Sequence, residues 1–579
     1  MPSALASLPP AQPILFIELR FVWIFSVIFL VHWALRTNTV RKVWLLACSH
    51  AFYTCFFIGE PVEFFQNVAA GRWGQLHEGW WFPLLLWFST FMDYFVGLGI
   101  EAAKTDRGRK LWVTGSLVVN LGVLGFFKYY GFFDENVRAV FAWLGLSPTW
   151  EPLKIFLPYG ISFYTFQSLS YSIEVYRRHL RAERSFLNLA FFIAFFPQVV
   201  AGPIVRAMTF LPQTLKRTDW LRVDARGCLV LFFIGFVKKA CVSDNLAAIV
   251  DAYFCAPQDY NTLSAWVAML CYAGQIYCDF SGYTDMALGV AGLLGYELCV
   301  NFNFPYFAAS ITDFWRRWHM SLSSWLRDYL YISLGGNRGS KLFTYRNLML
   351  TMLLGGLWHG ASWVFMLWGG LHGTALIFHR EWTRLASARM VSVVKWVAVP
   401  LTFLWVLFAW VPFRAGDTYA GVVVSEKETE TLGDIAKNSA AQKPIRLLGD
   451  GFYDRRGEKL LVRRDDVKRD PLTGDWQLAG QPGKIVAQRL AGSFSNTLTV
   501  WKSLAFSDGG GRKKDVCPNG LLILLAVLAI VHWVNSRSFL GHWWRRIPDF
   551  CFAAVLGAGA ALAIFAKPVV YKAFIYFQF

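Results

Sequence analysis

Long apolar blocks separated by short basic loops run along the chain from Leu15 to Ile564. A helix needs about 20 apolar residues to cross the hydrocarbon core of a bilayer. Blocks of that kind recur near residues 14–35, 43–59, 80–100, 111–131, 155–175, 226–250, 263–298, 396–413, 518–535 and 549–567. They are solidly apolar and do not alternate with period two, which excludes a transmembrane β-barrel. The pattern predicts an all-α polytopic membrane protein with about 10–12 transmembrane helices. Two further blocks, 186–204 and 347–378, carry basic loops at both ends, so neither makes a simple crossing. Pro197 and Gly202-Pro203 interrupt the first; Gly355-Gly356 and Gly360 interrupt the second. Both are expected to be re-entrant or hairpin segments, which membrane depth tolerates only where protein buries them or water lines them.

Residues 424–516 differ in kind. Gly and Asp turn signals flank short runs such as Lys459 to Arg463 and Trp476 to Ala479, which predicts a small, polar, β-containing insert. It reads either as a tolerated surface insertion or as a docking site for a partner. The chain thus divides into a membrane core with its N-terminal spans (1–423), the insert (424–516), and C-terminal spans ending in the tail FIYFQF (517–579).

Charge sharpens this picture. Lys and Arg number 56 against 38 Asp and Glu, a net +18, yet charged residues make up only 16% of the chain. Soluble domains carry about 25%. The basic residues cluster at Arg36, Arg41 and Lys42, at Lys104, Arg107, Arg109 and Lys110, and at Arg177, Arg178, Arg181 and Arg184. These clusters alternate with Glu60 and Glu63, Asp134 and Glu135, and Asp251 and Asp259. The positive-inside rule places the basic set in the cytoplasm and both termini outside, and assigns the charge to topology and lipid headgroups, with no nucleic-acid partner. The ten cysteines lie mostly within apolar runs and form no CxxC pair, so they read as buried hydrophobes and not as a disulfide framework or metal site. No basic region precedes the first apolar run, so that run is expected to stay in the mature protein.

Hydrolase, zincin and P-loop signatures (GxSxG, HExxH, GxxxxGK[ST]) are absent. The richest chemistry lies in Asn301 to Arg338. Ser310 and Asp313 have capping-box spacing, and Phe314, Trp318, Leu322, Trp325 and Tyr329 recur at helical intervals, predicting an amphipathic helix at the cytoplasmic interface. Its Trp rings would sit at headgroup depth, with Arg316, Arg317 and Arg327 toward water or anions. His319 and Ser323 would share one face. His359, in GGLWHG, lies inside an apolar block, where an ionisable side chain is a functional candidate unless it is only a hydrogen-bonded strut. His372 and His379 are about 10 Å apart along a helix and cannot share one metal ion. In QIYCDFSGYTDMALG, Asp279, Ser281, Tyr283 and Asp285 either pair or line a pathway, or pin a helix break at Gly282 by local side-chain to backbone hydrogen bonds.

Six segments together resemble the membrane-bound O-acyltransferase superfamily, in the bacterial branch of the alginate O-acetylation and D-alanyl transfer proteins. They are PYGISFYTFQSLSY (158–171), FFPQVVAGPIVR (195–206), YCDFSGYTDMALG (277–289), DFWRRWHMSLSSWLRDYLYISLGGNR (313–338), GLWHGASWVFMLWGGLHG (356–373) and the terminal FIYFQF. The insert departs from the family pattern. The resemblance implies helices and re-entrant segments around a central tunnel, with His319 (WRRWHMSLS) and His359 (GLWHG) as the catalytic pair. Asp313, Arg316, Arg317, Ser323, Trp358, Asp279 and Ser281 would support them. It further implies a multi-pass protein of the bacterial cytoplasmic (inner) membrane with no resident cofactor. Acetyl-CoA would be the acyl donor at the cytoplasmic mouth, and a periplasmic or membrane-anchored polysaccharide O-acetyltransferase would be the partner on the outer side. Tyr576 in the tail is either a transient acyl relay or, with Phe574 and Phe579, an interfacial anchor. A non-covalent carrier or a scaffold subunit is the alternative function.

Overall fold

The computed structural model describes most of residues 15–566, leaving out 58–65, 71–78, 147, 149, 151–152, 154, 256, 258–259, 388–389, 391–395, 506–520, 537–542 and 546. Between 416 and 492 it describes only the backbone of short strands. The apolar blocks fold as helices: Leu19–Ala34, Asn38–Thr54, Phe82–Ala102, Asp106–Trp143, Ile161–Tyr176, Thr262–Leu293, Ala398–Ala415, Leu521–Ser536 and Asp549–Ala566. The bounds lie within about six residues of expectation except at the block 111–131, whose helix runs on to Trp143 through Asp134 and Glu135, which were expected to form a loop. The block at 226–250 becomes one helical run in which Val237–Ser243 widens to a π-helix between Ala225–Phe236 and Asp244–Cys255.

Among the described helices, Phe82–Ala102, Asp106–Trp143, Ala398–Ala415 and Asp549–Ala566 are long and apolar enough to cross a membrane on length and composition alone. Others carry polar side chains that protein covers. Ile161–Tyr176 buries Thr165, Gln167, Ser168, Ser170, Ser172 and Glu174. Asp93 is buried where Phe82–Ala102, Asp106–Trp143 and Ile161–Tyr176 meet. It accepts from Ser116 Oγ (2.6 Å), Ser172 Oγ (2.8 Å) and Asn120 Nδ2 (2.9 Å).

The block at 347–378 is a helical hairpin, Lys341–His359 and Trp363–Leu385, turning through Gly360 to Ser362. Its arms touch backbone to backbone. A Cβ at Gly356 would lie 2.2 Å from the Phe365 carbonyl oxygen, and one at Gly369 2.2 Å from that of Met352. The block at 186–204 breaks into Phe186–Ala194 and Phe196–Val199 and is buried almost throughout.

The expectation of one interfacial helix after Ser310 needs correction. The Ser310 hydroxyl does accept from Asp313 N (3.1 Å), but the helix Ile311–Arg317 stops there, and a second helix starts at Met320. His319 caps that second helix in the left-handed conformation, at φ +41°. Trp318 and Trp325 do not face a headgroup layer; they are buried in the protein. Trp325 stacks on Phe166 (centroids 3.8 Å apart, planes 3° apart) and donates Nε1 to its carbonyl oxygen (3.0 Å). A helical stripe of rings suits a core as well as a headgroup layer, and the break folds this one inward.

Strands occur between the Ala398–Ala415 helix and the helix Ser493–Ala505. They are β1 (Tyr419–Ser425), β2 (Pro444–Leu448), β3 (Gly451–Tyr453), β4 (Lys459–Leu460), β5 (Val467–Arg469), β6 (Trp476–Leu478) and β7 (Gly483–Val486). An antiparallel sheet runs β4-β3-β2-β1-β7, with Tyr419 opposite Leu447 and Val422 opposite Val486, and β5 pairs with β6. In the helical body two buried apolar clusters, one containing Trp358 and the other Trp368 and Phe413, adjoin at the inner end of the hairpin.

Candidate active site

His359 is the last residue of the helix Lys341–His359 and lies on the seam between those clusters. Ring centroids of Trp358 and Trp368 are each 5.0 Å from its own, and that of Phe413 is 5.4 Å away. His319, wholly buried at the break, meets Phe280 edge-on at 4.6 Å and Trp358 at 6.2 Å. The two histidines, forty residues apart in sequence, thus share Trp358 as a common wall. Phe163 (5.7 Å) and Phe166 (5.4 Å) back that indole, so the aromatic contacts continue to Trp325.

The carbonyls at a helix C-terminus lack intrahelical partners. Here the helix Asp106–Trp143 supplies them: Tyr129 donates its hydroxyl to the Leu357 carbonyl (3.1 Å), and the Lys128 ammonium donates to that of Trp358. A cation there also complements the helix dipole. The same ammonium stands 5.5 Å from the centroid of the Trp358 ring.

A cavity of about 240 Å³ opens beside these groups, lined by His359, Trp358, Lys128 and the turn Pro158 to Phe163, with Phe57 and Phe82 on its rim. His319 is not among its lining residues. Phe57 follows the helix Asn38–Thr54, whereas Phe82 and Ile161 begin theirs; the opposite ends of all three carry the basic clusters. The cavity therefore lies at the end away from the basic loops. At Gly160, φ is +74° and a Cβ would sit 2.4 Å from the Val199 carbonyl oxygen, so only glycine lets this turn pack under the cavity floor.

The other sequence candidates take partners of their own, and His372 adjoins this centre through Trp368. Asp313 pairs with Arg317 (2.9 Å) and caps its own turn through Ala309 N (3.3 Å), while Arg316 is exposed. Ser323 donates its hydroxyl to the Trp318 carbonyl (3.0 Å) and its N–H to that of His319 (2.9 Å), which ties the second helix to the break. Asp279 forms an ion pair with Lys239 (2.6 Å), and Ser281 is buried on the same helix. His372 is caged by Trp368 (4.8 Å), Trp315 (5.1 Å) and Phe314 (6.0 Å), while His379 pairs through Nδ1 with the Thr312 hydroxyl (2.9 Å). Tyr576 lies outside the described residues. Lys128, Tyr129, Phe280 and Phe413 were not singled out from sequence. For Lys128 a signal existed, a lone cation near the end of an apolar block.

Residues 79–415 match the membrane-bound O-acyltransferase family. A protein of Azotobacter vinelandii named "Probable alginate O-acetylase AlgI" is 43% identical over 397 residues, covering 68% of this chain and 74% of its own length. A protein of the same name from Pseudomonas putida is 40% identical over 564 residues, 96% of this chain and 99% of its own. The peptidoglycan O-acetyltransferase of Helicobacter pylori is 38% identical over 401 residues, 65% and 71% of the two chains. The match includes both histidines and the elements that hold them, and this multi-pass membrane chain belongs to the membrane-bound O-acyltransferase family and is an acyltransferase.

Proposed function

We propose that the protein moves an acetyl group from acetyl-CoA at the cytoplasmic face of the inner membrane to the outer side, for O-acetylation of an extracytoplasmic polysaccharide. The observation that carries this reading is the position of His359, at a cavity remote from the basic loops, behind a Trp358 ring that also contacts His319. Relatives named for alginate and peptidoglycan acetylation support both the acetyl group and the polymer class. His359 is the general base, taking the proton of an acceptor hydroxyl as its oxygen attacks the thioester carbonyl. His319 faces the donor side. Arginines at the basic end, Arg177, Arg206 and Arg327 among them, attract the donor's phosphates.

On the outer side the acetyl group passes to a periplasmic or membrane-anchored O-acetyltransferase, with Tyr576 as the relay. A phenol is a weak nucleophile unless a base assists it, so the relay needs His359. The test is transfer by the membrane-reconstituted protein from radiolabelled acetyl-CoA. Wild type should release CoA, and His359→Ala should lose about 10²- to 10⁴-fold in rate while still inserting. A His359→Ala protein releasing CoA at the wild-type rate overturns the reading. Acetyl on the C-terminal peptide, absent in Tyr576→Phe, is the expected sign of the relay.

A further inference from the structure

Lys128 is placed for more than holding a helix end. An ammonium has three N–H donors and no acceptor. One goes to the Trp358 carbonyl and a second points to the Ser162 hydroxyl at 3.5 Å. The side chain lines the same cavity as His359. Among the described residues no carboxylate pairs with it, whereas Lys238 pairs with Asp285, and Lys239 with Asp244 and Asp279. Its N–H groups are therefore not committed to a counter-ion, and one donor is left for whatever enters the cavity. The Trp358 carbonyl that anchors it is one residue from His359, so the ammonium and the imidazole are held in a fixed relation by the end of a single helix.

We infer that Lys128 is a catalytic residue of acyl transfer, donating its remaining N–H to the oxyanion that forms when the acyl carbonyl is attacked. The inference rests on the proposed role of His359. In the step it describes, the acceptor hydroxyl oxygen bonds to the carbonyl carbon of the acyl thioester and its proton goes to His359. The carbonyl π pair moves onto oxygen, where the Lys128 ammonium meets it. On collapse that pair re-forms the carbonyl, the carbon–sulfur bond breaks, and the departing sulfur takes the proton from the imidazolium. Ester and thiol leave, and both side chains return to their starting states. A donor preorganised in a water-poor site acts on charge that exists only in the transition state, which is the interaction that raises kcat.

The test uses full-length protein in proteoliposomes with acetyl-CoA as donor. Lys128→Gln can keep the hydrogen bond to the Trp358 carbonyl but not the charge. It is expected to unfold at nearly the wild-type temperature, with kcat reduced about 10²- to 10³-fold and KM little changed. Lys128→Ala is expected to lose as much and to regain activity with ethylammonium but not with ethanol at equal concentration. A lysine that only capped the helix would lower thermal stability without these kinetic signatures. The assignment is overturned by Lys128→Gln turning over within about threefold of wild type, or by Lys128→Ala that ethylammonium does not restore. Wild-type protein that releases no CoA overturns the proposed function itself. Active wild type with unaffected Lys128→Gln overturns this assignment alone.

Discussion

Two buried polar regions flank the helix Thr262–Leu293, and neighbouring residues of that helix, Asp279 and Phe280, contribute to one each. Asp279 reaches Lys239 at 2.6 Å, and Lys239 also binds Asp244 at 2.7 Å; six residues on, Asp285 binds Lys238 at 2.6 Å. Phe280 instead turns its ring to His319. In the first region full charges of opposite sign meet across the seam between this helix and the π-helical turn Val237–Ser243. The seam is tight enough that a Cβ on Gly282 would lie 2.7 Å from the Gly235 carbonyl oxygen. In the second region imidazoles face aromatic walls beside a cavity. Both contain ionisable groups in apolar segments, but an ion pair held by close-packed backbone is a fastening, whereas an imidazole next to open space can exchange a proton.

The largest expected effect breaks the fastening. Lys239→Met would leave Asp244 and Asp279 buried without their common cation, a change that costs about 3–5 kcal/mol. Thermal unfolding of the detergent-solubilised protein should show it, along with a low yield of inserted protein. His359→Gln should leave the unfolding midpoint near wild type and remove activity. A stable but inactive Lys239→Met protein would move the lysine from fastening to chemistry and dissolve the contrast.

Next in size is the hairpin that presents His359. Gly356→Val places a Cβ against backbone of Phe365, which cannot rotate away, so the arms must separate. Overpacking of this kind costs about 1–3 kcal/mol. The separation acts at the end of the helix that carries both Trp358 and His359, so the fall in kcat should exceed what the stability loss alone predicts. Equal losses in folded fraction and total activity would show that the hairpin's spacing does not set the imidazole's position.

The spans were legible because hydropathy over some twenty residues is a strong local signal, and His319 and His359 because ionisable side chains are costly in such blocks. The polar residues of the 275–289 segment were expected to pair, to line a path or to pin a helix break at Gly282. The helix Thr262–Leu293 runs unbroken through Gly282, and the partners of the acids were not legible, since Lys239 lies forty residues upstream of Asp279. The break at His319 left no local mark either. The Ser310 cap and the aromatic spacing fit one continuous helix, and nothing in WRRWHMSLS announces a left-handed residue before Met320. Trp318 and Trp325 were placed at the headgroups because ring spacing does not say which surface the rings meet. Lys128 depended on a carbonyl 230 positions away.

A smaller effect should come from the aromatic stack behind the histidines. Phe166 lies 3.8 Å from the Trp325 ring and 5.4 Å from that of Trp358. Phe166→Leu gives up a stacking term of about 0.5–1.5 kcal/mol. Unfolding should move by that amount, with kcat lowered only as far as Trp358 shifts; unchanged stability would mean that the stack is incidental.

The smallest effect concerns an ionic site of a third kind, part solvated, at the basic end. The Asp328 carboxylate accepts from Arg327 Nε at 2.7 Å and from Arg206 at 2.5 Å, and Arg177 donates to the Asp328 backbone carbonyl at 3.0 Å. Partial burial alone would raise the carboxyl's pKa, but the hydrogen bonds and charges of Arg327 and Arg206 outweigh it and hold the group below the usual carboxylate range. A carboxyl depressed in the folded state adds stability that is complete above its unfolded pKa, about 4. That stability is lost as pH falls through the lower folded value. Exposed pairs contribute about 0–1 kcal/mol, so Asp328→Asn should be slightly less stable than wild type at pH 7, and the two should converge toward pH 2–3 as wild type loses the charge. Added salt at pH 7 should narrow the gap in the same direction, because screening acts on part-solvated charges and spares buried ones. The Lys239 cluster should hardly respond to that salt. A gap that persists unchanged from pH 7 to pH 2 would mean that the asparagine disturbs packing around Tyr329 and that the ion pair itself adds nothing.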